Sequence, residues 1–132
     1  MLKSLFTSAL FSISLLASEV SWFHSYSQAA QVAKQNQKPM LVFMNKPGCG
    51  SCQYMKENVF TNQSIIEYLN AHYVSISLDI NTNDAPQKLQ VKVTPVFHFL
   101  TSSGEKSIET LIGGKTAPYF LKLLKKGNTG AQ

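Results

Sequence analysis

The chain contains no arginine, although its lysines outnumber its acids and give it a formal net charge of +5. Arginine supplies the planar two-pronged donor that reads guanine and grips phosphate. Without it, and with lysines scattered except at Lys122, Lys125 and Lys126, nucleic acid is excluded as the expected partner. The basic balance reads as solubility with some attraction to anionic surfaces. Cysteine is nearly as scarce, with Cys49 and Cys52 alone. A zinc site needs two further ligands, and His24, His72 and His98 have no ligand-like spacing. Covalent haem attachment needs a histidine directly after the second cysteine, where Gln53 stands. No metal and no cofactor is therefore expected. There is no internal repeat, and only the last six residues are polar enough to suggest disorder. With 132 residues, 44% hydrophobic and 14% charged, the chain suits one compact domain.

The N-terminus reads as a signal peptide, residues 1–18. Lys3 is the positive start, Leu5 to Ala17 the apolar stretch, and Ala17 or Ser18 the small residue at which cleavage is expected. The stretch falls short of the about 20 residues that span a bilayer. An uncleaved anchor is the alternative. An exported location, the bacterial periplasm, follows as an expectation.

Beyond Ser18 the periodicity changes several times. Tyr26, Ala29, Ala30 and Ala33 mark a helix over Ser25 to Gln37, closed by Pro39. Met40 to Met44 is a continuous apolar run, as in a strand covered on both faces. Lys46-Pro47-Gly48 is a turn, and a helix is expected from Cys49 or Gly50 to about Asn58. Asn62 caps another helix. Tyr73 to Ile80 alternates as a strand, and Asp84 with Pro86 predicts a short helix. Val96 to Leu100 and Ser107 to Ile112 form a hairpin about Gly104. A last helix starts at Thr116 and stops at Gly127, leaving residues 127–132 as a flexible tail. Strand–helix–strand requires parallel strands, and the hairpin adds antiparallel ones. The fold class is α/β: a mixed central sheet with helices on both faces.

The cysteine pair, Cys49-Gly50-Ser51-Cys52, closes a very short loop. Loop entropy gives such a staple about 2 kcal/mol, against about 3 for a loop of about 15 residues, so a purely structural role is poorly motivated. The redox reading has a mechanism. A strand and a turn deliver Cys49 to a helix start, where the helix dipole favours a thiolate, and Lys46 adds to this if it turns inward. Cys52 lies one turn on, placed to attack a mixed disulfide on Cys49. Gly50 and Ser51 let the backbone approach a substrate closely.

Here the sequence resembles the thioredoxin superfamily, in particular exported thioredoxin-like proteins with an added helix after the active-site helix. The matching stretches are Pro39 to Met44, the cysteine motif, Asn58-Val59-Phe60 with Asn62 to Leu69, Tyr73 to Ile80, Val93-Thr94-Pro95-Val96 and Gly113-Gly114. The likeness covers residues 19–126. It implies the thioredoxin fold, a cis Pro95 against the cysteine pair, and substrate pairing along Thr94. The family's buried acid, six residues before the first cysteine, is replaced by Phe43, and its buried lysine on the next strand by Ser77. That leaves the base for Cys52 open among Glu57, Asp79 and water. Trp22, His98, Tyr54 and Met55 read as packing residues.

The expected function is a thiol–disulfide oxidoreductase. Cys49 is the nucleophile, Cys52 the resolving residue, and Thr94, Pro95, Gly50 and Ser51 the substrate contacts. No histidine separates the cysteines, which favours a reductase over an oxidase or isomerase running the chemistry in reverse. Its substrates are protein disulfides, such as the cysteine pair of an apocytochrome c, and an oxidising compartment implies a membrane thiol electron donor. A non-catalytic binding or chaperone module is the other alternative, and a monomer the expected state.

Overall fold

The computed structural model describes residues 17–131. Most of the expected signal peptide lies outside that range. Among the described residues, no helix is long and apolar enough to cross a membrane.

A two-residue strand, β1 (Trp22–Phe23), precedes α1 (Tyr26–Asn36). Ser25 caps α1 by accepting the Gln28 N–H, and Tyr26, Ala29 and Ala33 bury one face. The helix ends on Gln37 in the left-handed conformation, whose N–H bonds the Ala33 carbonyl. Next come β2 (Met40–Asn45), α2 (Gly50–Tyr54), a π-helical stretch (Met55–Val59) and α3 (Gln63–His72), capped by Asn62. β3 (Val74–Asp79), a short 3₁₀ turn (Gln87–Leu89), β4 (Val96–Leu100), β5 (Leu111–Ile112) and α4 (Ala117–Gly130) complete the chain.

The sheet order is β1-β3-β2-β4-β5. β1–β3 and β3–β2 are parallel, while β2–β4 and β4–β5 are antiparallel. Every residue of β2 is buried, as its unbroken apolar run requires of a central strand. Leu41 and Phe43 face a core shared with the π-helical stretch, α3 and α4; Met40, Val42 and Met44 face one shared with α1. The mixed sheet covered on both faces agrees with the expected fold class.

One element was not foreseen, and three local expectations need correction. β1 carries no strand signal, being two residues long. The expected strand from Ser107 shrinks to Leu111–Ile112, with an isolated bridge at Lys106. The expected helix from Asp84 is only the 3₁₀ turn. Asp84 instead serves α1 across the fold: its carboxylate accepts from the Tyr26 N–H (2.6 Å), the Ser27 N–H (2.9 Å) and the Ser25 hydroxyl (3.0 Å). Finally, Gly127 does not stop α4, and the expected tail is helical as far as Gly130. Gly127 is there for close approach. A Cβ on it would lie 2.7 Å from the Tyr73 hydroxyl, which is itself held by a 2.6 Å bond to the Leu124 carbonyl.

The bonds from Ser27 and Tyr26, with the helix dipole, hold the Asp84 carboxyl far below the usual carboxylate range. Asp84 is exposed, so solvent screening keeps the gain to the scale of an ordinary cap. Asp84→Ala is expected to cost about 1 kcal/mol at neutral pH. Because the folded carboxyl is depressed, this contribution is full above the ordinary value of 3.8 and lost as pH falls below it. Urea denaturation of both proteins should show the gap at about pH 7 and a smaller one at about pH 3; equal gaps would mean the charge is not involved.

Candidate active site

The site forms where the C-terminal end of β2 meets the N-terminal end of β4. Met44 pairs with Val96, so Pro95 lies just past the ladder, at the end from which the 46–49 turn departs. Gly48 takes a positive φ of 78°, turning the chain into α2. Cys49 is the N-cap of α2, half-buried, and bonded to Cys52 in a disulfide. The Cys52 N–H donates to Cys49 Sγ at 3.1 Å. In the dithiol form this bond and the helix dipole both favour negative charge on that sulfur. Cys52 is 1% exposed and belongs to the apolar cluster of Phe43, Met55 and Phe97. The pair is thus asymmetric, with Cys49 half-buried and Cys52 in the core.

The other site residues expected from the sequence converge here. Gly50 and Ser51 are exposed. The Thr94–Pro95 peptide is cis, as the resemblance implied, with Pro95 buried and Thr94 half-buried. Among the described residues, no hydrogen bond within the chain uses the N–H or carbonyl of Thr94. The Gly113 N–H donates to the Pro95 carbonyl (2.9 Å). Gly114 then passes so close to α2 that a Cβ on it would stand 3.7 Å from the Ser51 carbonyl, and the Lys115 N–H donates to Met55 Sδ at 3.4 Å. The cis-proline loop is thereby bonded to the 113–115 loop, and that loop to Met55, the residue directly after α2.

Several expectations for the surroundings are settled. Lys46 is exposed rather than turned inward. Trp22 packs edge-on against Phe60, with centroids 4.9 Å apart. Phe43 stacks on Phe97 at 4.9 Å and 8°, filling the place of the family's buried acid. Ser77, beside it in β3, accepts from Asn45 Nδ2 at 3.0 Å. Neither carboxylate considered as a base bonds to Cys52: Glu57 is exposed and accepts from Gln53 Nε2, and Asp79 accepts from the Asn81 N–H. His98 lies on the other face of the sheet. Its Nε2 donates to the Leu89 carbonyl at 2.9 Å, and burial pushes its pKa down, so it is a neutral structural residue. Met55 packs as expected, whereas Tyr54 is exposed.

The large apolar side chains exposed among the described residues are Tyr54, Val93, Ile112 and Tyr119. They sit on α2, just before Thr94, just before Gly113 and in the first turn of α4. No pattern of spacing reveals this, because exposure depends on what the fold leaves uncovered. Val93 and Ile112 do flank Thr-Pro and Gly-Gly, and that is the nearest thing to a signal.

The asymmetry is directly measurable. In the reduced protein, iodoacetamide should alkylate Cys49 at least about tenfold faster than Cys52, since access and thiolate character both favour Cys49. Peptide mapping by mass spectrometry reads the ratio, and equal labelling would contradict the arrangement.

Residues 26–128 match the family described as Thioredoxin-like domain. An uncharacterized protein of Archaeoglobus fulgidus is 30% identical over 91 residues, 67% of this chain and 70% of its own length. The fold is similar to a thioredoxin from Thermus thermophilus (TM-score 0.73, 23% identity, 86% of this chain and 90% of that one). It is also similar to a candidate disulphide-isomerase from Bacteroides thetaiotaomicron (TM-score 0.70, 27% identity, 86% and 96%). A CxxC disulfide on this fold is the centre of a thiol–disulfide oxidoreductase, and the chain belongs to the family of thioredoxin-like domains.

Proposed function

We propose that the protein is an exported, periplasmic reductase of protein disulfides that works as a monomer. The observation that carries the chemistry is the pairing of a half-buried Cys49, its sulfur held by the Cys52 N–H, with a fully buried Cys52 one turn away. The Cys49 thiolate attacks one sulfur of a substrate disulfide. A mixed disulfide forms, and the other substrate sulfur leaves as a thiolate. The Cys52 thiolate then attacks Cys49 Sγ, restoring the Cys49–Cys52 disulfide and releasing the second substrate thiolate. Two electrons have passed to the substrate, whose thiolates take protons from water. A dithiol donor resets the enzyme by the same exchange, and in an exported protein that donor is membrane-borne.

The free N–H and carbonyl of Thr94 offer an extended substrate segment a strand partner beside the disulfide. Gly50 and Ser51 leave the approach open. The cysteine pair of an apocytochrome c is the example of such a substrate in this reading. Export rests on Lys3 and the apolar stretch from Leu5 to Ala17. The similarity to a candidate disulphide-isomerase favours isomerisation as the second reading.

With dithiothreitol as donor, insulin reduction should fall to background in Cys49→Ser. Cys52→Ser should instead accumulate a covalent adduct with the substrate, visible on a non-reducing gel. Turnover by Cys49→Ser at the wild-type rate would refute the enzymatic reading. The direction is read from the equilibrium potential against glutathione: a value near about −270 mV is expected, and one near about −120 mV would mark an oxidase.

A further inference from the structure

We propose that the surface around the disulfide selects polypeptides whose cysteine lies in an extended, acidic segment. This rests on the reading of Cys49 and Cys52 as a pair that exchanges disulfides with polypeptides.

Three loops meet at the disulfide: 46–49, 90–95 and 113–116. Each carries one lysine, namely Lys46, Lys92 and Lys115, and none carries an aspartate or glutamate. Lys46 and Lys92 are exposed. Lys115 is fixed by its backbone bond to Met55, and its ammonium lies 5.7 Å from the centre of the Tyr119 ring. The ion pairs among the described residues, Lys88–Glu105 and Lys106–Glu109, use other lysines.

The acids on neighbouring elements keep their charge, but each is held by a partner outside these three loops. Asp84 is spent on the N-terminus of α1, Asp79 accepts from the Asn81 N–H, and Glu57 bonds Gln53 on the solvent side of the helical segment. The loops that border Cys49 thus contribute three lysines and no acid. Val93, Ile112 and Tyr54, on the same loops or the elements that adjoin them, are 54%, 65% and 41% exposed. A segment pairing along Thr94 would set apolar side chains on these spots and its own charges against the lysines. Carboxylates there are attracted, and lysines repelled, before any sulfur is reached.

The test uses three cystine peptides of one length, with the cysteines flanked by Asp and Glu, by Ser and Asn, or by Lys. The rate at which each oxidises the reduced protein is divided by its rate with dithiothreitol, since flanking charge also alters the leaving thiol. At an ionic strength of about 0.01 M the acidic peptide should react about tenfold or more faster than the lysine peptide, and at about 1 M the difference should shrink to about twofold. Lys46→Glu/Lys92→Glu/Lys115→Glu should reverse the order at low salt. The salt comparison on the unaltered protein stands even if that variant does not fold. Equal rates at low salt, or a preference for the lysine peptide, overturn the proposal. Oxidised 2-hydroxyethanethiol, small and uncharged, separates the two levels. If it oxidises the protein while the peptides react equally, only the surface selection fails. If neither it nor any peptide reacts, the redox reading itself fails.

Discussion

The antiparallel pairing of β2 with β4 is the interaction on which the site depends. Cys49 and Pro95 are far apart in the chain, and neither end of the site could find the other by local structure. Five register pairs from Met40–Leu100 to Met44–Val96 bring them together, and the Phe43–Phe97 stack reinforces the ladder from one face. β2 can occupy this central place because all of its side chains are apolar or, in Asn45, internally bonded: Nδ2 donates to the Phe43 carbonyl, Ser77 Oγ and the Leu78 carbonyl. A one-residue slip would turn Phe43 to the other face and misplace Pro95 against the 46–49 turn.

Much of this was legible in the order of residues. The run Met40–Met44, the alternation after Tyr73 and the Thr-Pro before Val96 each have one natural reading, and together they imply the sheet. The elements that escaped did so for physical reasons. β1 is too short to carry a period, and only its pairing with Ser75 and Ile76 makes it a strand. Asp84 followed by Pro86 has the chemistry of a helix start, and Asp84 does bond helix-start N–H groups, but those of a helix far away in the chain. Gly127 has the chemistry of a helix stop, yet it is retained where a larger residue would strike Tyr73.

The site divides in the same way. Cys49, Cys52, Thr94 and Pro95 announce themselves by type and spacing. Gly114, Met55 and the exposed Tyr54 and Ile112 do not, because their importance lies in what the folded chain sets beside them. The thioether of Met55 is a case in point: as a hydrophobic residue it belongs to the core, while as a hydrogen-bond acceptor it ties the active-site helix to the loop that carries Gly113 and Gly114.

Phe43 has a wider meaning than packing. Burying its ring is worth about 2 kcal/mol, whereas a carboxylate there would cost several in lost hydration. Among the described residues the buried polar side chains are Asn45, Ser75 and His98, none of them an acid or a lysine. The redox pair therefore has no proton reservoir beneath it. Electrons enter and leave through the sulfurs, and no buried acid or lysine among the described residues passes on the protons that accompany them. The sulfurs are then the centre's own proton carriers, and Cys52 is the one that must hold its proton in the core.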